Sequence, residues 1–131
     1  MLVYLIVDNL GMLLRAHGWN PIPKRKPDLL HGTLDLLILR TLDTSPMHGW
    51  AVSKHIQAIS REVLEVNQGS LYPALYRLEG RGWIEAEWET TPTGRRAKVY
   101  SLTRDGRKQL SREESRWAAF SLAVNRVLGT A

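Results

Sequence analysis

The apolar period of this chain changes once from helical to alternating, and that change restricts the fold more than any other feature. Up to Leu78 the apolar residues recur at helical spacing, whereas in WIEAEWET, residues 83–90, they alternate. Ile84, Ala86 and Trp88 point one way and Glu85, Glu87 and Glu89 the other, the pattern of a half-buried strand. TTPTGRR, Thr90 to Arg96, supplies Pro92 and Gly94 as turn residues. AKVYSL, Ala97 to Leu102, then pairs back as a second strand, with Arg96 and Lys98 set to offset the glutamates across the hairpin. Helical spacing resumes after it. Thr103 caps a long helix reaching about Val127, and Asp105 sits near the positive end of its dipole.

Three helices precede the hairpin. TLDLLILRTL, Thr33 to Leu42, is apolar nearly all round and reads as a buried helix capped by Thr33, with Asp35 in its first turn. DTSPMHG, Asp43 to Gly49, is a turn. A second helix from about Trp50 to Ser60 buries Val52, Ile56 and Ile59 and turns Ser53, Lys54 and Gln57 outward. EVLEVNQG, Glu62 to Gly69, connects it to the third. In GSLYPALYRLEGRGWI, Ser70 is the expected N-cap, which puts Pro73 in the first turn where its missing N–H costs little. Leu71, Leu75 and Leu78 face the core, Pro73, Tyr76, Arg77 and Gly80 fall opposite, and Gly80 and Gly82 end the helix. The expected fold is mainly α with a small β-hairpin: a winged helix-turn-helix domain plus a long C-terminal dimerisation helix.

The 131 residues, 44% of them hydrophobic, suit one domain with a modest core. We divide them into an N-terminal extension and linker at 1–28, a winged-helix domain at 29–102 and a C-terminal helix at 103–131. MLVYLIVDNLGMLLRAHG is interrupted by Asp8, lacks a basic start and falls short of the ~20 apolar residues of a membrane span. It reads as an amphipathic helix or a loosely ordered extension, and NPIPKRKPD after it reads as a linker. The absence of cysteine excludes disulfides and thiolate zinc sites and points to a cytoplasmic protein.

The formal charge of +5, from 18 basic against 13 acidic residues, favours a polyanionic partner. In a helix-turn-helix reader the N-terminal residues of the motif's second helix meet base edges in the major groove. Here those residues are Ser70, Tyr72, Pro73 and Tyr76, with Arg77 alongside. A merely solvated or half-packed helix face would show the same residues. The hairpin adds Arg95 and Arg96 at its tip and Lys98 on its flank, which suit a minor groove or flanking phosphates, although a basic tip also serves solubility. The two features in this order favour double-stranded DNA; a winged-helix protein-interaction module is the alternative. No HExxH, glycine-rich phosphate loop or cysteine nucleophile is present, and His17, His31, His48 and His55 show no metal-ligand spacing. No catalytic residue, metal or cofactor is therefore assigned.

The long helix carries Leu110, Trp117 and Val124 at intervals of seven, with Phe120 and Val127 three residues after the last two. Glu113 interrupts this seam. It suits a homodimer, or a helix folded back on its own domain. Trp117 and Phe120 could line a cavity for a flat aromatic ligand or act as packing anchors.

LLHGTLDLLILRTL, MHGWAVSKHI, NQGSLYPALYRLEGRGWI and TGRRAKVYSLTRDGRKQL, in this order, resemble the PadR family of bacterial transcriptional regulators over Leu29 to Val127. The patterns G-x-LYP-x-L-x-RLE-x-x-G and GR-x-x-K-x-Y-x-LT-x-x-G carry the likeness. It implies a winged-helix DNA-binding domain, homodimerisation through the C-terminal helix, and repression relieved by a small effector such as a phenolic acid or a drug-like compound. It places Ser70, Leu71, Tyr72, Pro73 and Arg77 on the recognition helix and Gly94, Arg95, Arg96 and Lys98 on the wing. His48 and Gly49 fall at the turn before the second helix, whose N-terminus can meet a phosphate. Trp117 falls where drug-binding members carry a central aromatic. Trp50 stands where the family usually has Tyr, and a single C-terminal helix means the pockets of longer members do not transfer.

Overall fold

The computed structural model describes residues 31–130; the extension and linker assigned to 1–28 lie outside the described residues. The elements run α1 (His31–Thr44), β1 (Met47–His48), α2 (Gly49–Ile59), α3 (Gln68–Gly80), β2 (Ile84–Thr90), β3 (Arg96–Leu102) and α4 (Arg104–Leu128). The strands form one antiparallel sheet in the order β1-β3-β2. The fold is a winged helix, mostly helical, with three strands where the sequence suggested two.

The core explains the helices. Ile38, Leu39, Val52, Leu71, Leu75, Leu78 and Ile84 are almost completely buried, and they draw α1, α2, α3 and the base of β2 into one cluster. Each such side chain contributes about 1.5–3 kcal/mol by leaving water. Tyr100 and Leu110 join the same cluster from β3 and α4.

Several boundaries differ from the sequence reading. Helix α1 starts at His31, so Thr33 lies inside it and is not its cap. Asp35 is likewise past the first turn and is buried. Met47 and His48, read as turn, form a third strand paired with Tyr100 and Val99. A two-residue strand has no period to detect. Ile59, expected in the core, is 70% exposed. It is the last residue of α2, and the chain leaves through Arg61 and Glu62, both left-handed at φ 54° and 68°. The helix therefore ends before its third apolar position reaches the core.

The α3 cap also moves. Asn67, not Ser70, is the N-cap, and its side chain accepts a hydrogen bond from the Ser70 N–H at 2.9 Å. The flanking Val66 and Leu71 are both buried in the core, at the two positions of a hydrophobic staple about an Asn67 cap. Burial thus selects one of two good capping residues three positions apart. Pro73 consequently sits in the second turn, not the first, and the Gly69 carbonyl loses the N–H it would meet there.

Thr103 caps α4 as its sequence suggests. Its hydroxyl oxygen accepts from the Gly106 N–H at 2.9 Å and its O–H donates to the Gly82 carbonyl at 2.7 Å. Asp105 lies in the first turn and Gly129, at φ 79°, ends the helix.

Candidate nucleic-acid interface

Helix α3 presents Ser70, Pro73 and Tyr76 to solvent, Tyr76 being 80% exposed. Asn67 performs the capping, so the Ser70 hydroxyl has no capping duty. Tyr72 is 41% exposed because its ring lies along Gly49. A Cβ on Gly49 would stand 2.8 Å from the Tyr72 Cε1. Gly49 is therefore buried beneath Tyr72, and what it contributes is the close approach of α2 to α3, not a surface contact. Leu71 is fully buried, which corrects its placement among the DNA-facing residues. The helix position was right, but the side chain points into the core.

Arg77 is also spoken for. Its guanidinium forms an ion pair with Asp35 of α1, with the two side chains 35% and 13% exposed. Asp35 is a charged residue set in an otherwise apolar helix, and that anomaly was the available signal that it needed a cationic partner.

The wing is the loop between β2 and β3. The Thr91 N–H donates to the Arg95 carbonyl at 2.7 Å, and the Gly94 N–H donates to the Thr91 carbonyl at 2.8 Å. Gly94 adopts φ 86°, which glycine allows without a Cβ penalty. Arg95 and Arg96 are exposed on this closed turn.

The hairpin register places Arg96 opposite Thr90 and Lys98 opposite Trp88, so the expected offsets against the strand glutamates do not form. Instead both cations lie over the Trp88 ring, Arg96 at 5.1 Å and Lys98 at 5.7 Å from its centroid. Trp88 is 56% exposed and forms a shelf on the wing that alternation alone had assigned to the buried face. Lys98 further reaches the Tyr100 ring and stands 3.4 Å from the Glu79 carboxylate of α3. Burial pushes the Tyr100 phenol above its usual value, with Lys98 pulling the other way.

His48 caps α2 without a side-chain cap bond. Its Nδ1 lies 3.2 Å from the Lys98 carbonyl, its Nε2 lies 3.9 Å from the Glu89 carboxylate, and its ring stacks on Trp50. It is tied to the wing strand, at the edge of the proposed reading face.

At the other end of the molecule, Gly32, Thr33, Leu36, Glu113, Arg116, Trp117 and Phe120 line a groove of about 230 Å³ between α1 and α4. Trp117 and Phe120 touch with centroids 5.8 Å apart. Leu110, expected on the dimer seam, is only 4% exposed and packs in the core of its own chain. Leu110 is therefore taken out of the expected seam, which leaves Trp117, Phe120, Val124 and Val127. Val124 is half-buried and Val127 is 87% exposed. Among the described residues, no cluster of three or more His, Asp or Glu side chains is placed to hold a metal, and no helix is long and apolar enough to cross a membrane.

Comparison with known proteins agrees with this architecture. The transcriptional regulator PadR-like family matches residues 38–112. The transcriptional regulator Rv3488 of Mycobacterium tuberculosis is 38% identical over 95 residues, covering 72% of this chain and 81% of its own. A transcriptional regulator from Clostridium thermocellum superposes with a TM-score of 0.69 at 27% identity, over 76% of this chain and 96% of that one. A PadR family regulator from Eggerthella lenta gives a TM-score of 0.66 at 26% identity, over 96% and 95% of the two chains. With its own residues 38–112 matched and its fold shared along nearly the whole of a solved relative, the chain belongs to the PadR-like family of transcriptional regulators.

Proposed function

We propose that this regulator is a sequence-specific, homodimeric DNA-binding repressor of the cytoplasm. The observation that carries the reading is the joint exposure of Ser70, Pro73 and Tyr76 on α3 and of Arg95 and Arg96 on the adjoining wing. Ser70 and the tyrosine hydroxyls suit bases or phosphates, and the Pro73 ring suits a thymine methyl. The wing arginines suit a minor groove. Repression and its relief by a small aromatic compound follow the family's habit. The groove beside Trp117 and Phe120 supports that second part, since these two rings and Leu36 give it an apolar lining.

Fluorescence anisotropy tests the DNA reading, using a duplex from upstream of the protein's own reading frame and a scrambled duplex of equal length. The upstream duplex should bind more tightly. Arg95→Ala should weaken both complexes and reduce the slope of log K against log salt by about 0.9, one phosphate contact. Equal affinity for the two duplexes, with no response to Arg95→Ala or to salt, would instead describe a protein-interaction module.

A further inference from the structure

Resting on the DNA reading above, we infer that Arg77 and Lys98 are positioning residues, with Asp35 and Glu79 as their partners. The two ion pairs set the rotation of α3 about its own axis; neither cation is a phosphate ligand.

The argument begins with helix geometry. Arg77 and Glu79 are two residues apart, and residues so spaced on a helix project from nearly opposite flanks. Arg77 reaches Asp35 on α1, while Glu79 reaches Lys98 on β3. One turn of α3 is thus held from both sides, by a helix of the core and by a strand of the wing. Turning α3 about its axis would lengthen one pair or the other. The same rotation would swing Ser70, Tyr72 and Tyr76 out of line with Arg95 and Arg96.

The electrostatics agree. Asp35 is buried and compensates the charge of Arg77, so a phosphate would have to compete with a carboxylate already in place. Lys98 is hemmed in by the Glu79 carboxylate and by the rings of Trp88 and Tyr100, each ring centroid 5.7 Å from its Nζ. Arg95, in contrast, is exposed at the turn itself. The basic residues of the reading face therefore divide into contacts and supports, a division that their charge alone does not reveal.

Removing the carboxylates and keeping the cations separates the two roles by sign. Were Arg77 and Lys98 phosphate ligands, Glu79→Gln and Asp35→Asn would free them, add positive charge and tighten DNA binding. As supports, the same changes misalign α3, and affinity for the upstream duplex should fall about threefold or more with the salt slope unaltered. Reversing the pair provides the rescue. Lys98→Glu alone should lose affinity, and Lys98→Glu combined with Glu79→Lys should recover most of it. Glu79 and Lys98 are each about one-third exposed, so these variants keep the test available even where Asp35→Asn fails to fold.

Anisotropy titrations across a salt series give the answer. Tighter binding by Glu79→Gln, a slope reduced by about 0.9 in Lys98→Gln, or no recovery in the reversed pair would each overturn the assignment. The wild-type comparison of upstream and scrambled duplexes keeps the two readings apart. No preference there removes the DNA reading and this inference together, whereas a clear preference with tightened variants removes this inference alone.

Discussion

A Cβ placed on Gly106 would stand 2.0 Å from the Trp83 carbonyl oxygen, a backbone atom that cannot swing aside. The absent side chain lets α4 lie directly against the end of the loop before β2, where the Thr103 N–H also meets that carbonyl at 3.1 Å. Gly106→Ala should therefore lower the unfolding free energy by about 1–3 kcal/mol. Gly80 supplies the control, because a Cβ there meets nothing within 4 Å and the residue is helical. Gly80→Ala should raise stability by about 0.5 kcal/mol through reduced freedom of the unfolded chain. Urea unfolding of both variants checks the pair, and a neutral Gly106→Ala would show that the two backbones can part at little cost. At this scale the sequence was readable where one residue had one plausible partner, as at the Thr103 cap. It misled where a second capping residue stood nearby, and the reading of Ser70 as the α3 cap missed Asn67. Asn67 and Ser70 are equally good caps, and only the burial of Val66 and Leu71 decides between them.

Among the elements, α3 is the one whose sequence works against its own stability. Pro73 sits six residues after the Asn67 cap, so it removes a hydrogen bond that a first-turn proline would not have removed. A regulator selected for stability alone would carry alanine there. We expect Pro73→Ala to stabilise the fold by about 1–2 kcal/mol, the restored helical bond being partly offset by a freer unfolded chain. We expect it also to weaken binding to the upstream duplex, since the ring faces outward between Ser70 and Tyr76. Chemical unfolding and anisotropy on the same variant check both halves. A gain in stability without any change in DNA affinity would deny Pro73 a place on the reading face. The elements themselves were mostly apparent from period, because helices α1 to α4 and the β2–β3 hairpin each bury a repeating set of positions. What period could not show was commitment. Arg77 looks like a free cation in the sequence and Lys98 like a partner of the β2 glutamates, and only the tertiary approach of Asp35 and Glu79 shows how they are paired. Trp88 lies on the correct face of β2, but the strand runs past the edge of the core, and an inward position there is open to solvent.

The molecule as a whole is divided by α4. A helix of 25 residues is about 38 Å long, more than the core of so small a domain can cover. Its first turns belong to that core, burying Gly106, Gln109 and Leu110. Past Leu110 no described residue of α4 is buried, yet Phe120 and Leu122 are each 45% exposed, Leu128 53% and Val127 87%. An apolar stripe at helical spacing looks the same in sequence whether it meets its own chain or a second copy, and here only its first part, up to Leu110, is buried in its own chain. A second copy packing on the distal half would cover those residues and close the groove at Trp117, and it would set two α3 helices toward half-sites about 34 Å apart. Sedimentation should then find a dimer at micromolar concentration. Phe120→Glu combined with Val127→Glu should raise its dissociation constant at least about tenfold, the effect of burying charge on an apolar seam. Leu110→Ala should act differently, costing about 2–5 kcal/mol of stability in each chain because it opens a cavity in the core. A wild-type monomer, or a charged double variant that dimerises as well as the parent, would mean that the distal half of α4 is not where the copies meet. The dimer and the reading face should also separate in the double variant: it should keep the salt slope of a single winged helix on DNA while losing the added affinity that comes from engaging two half-sites at once.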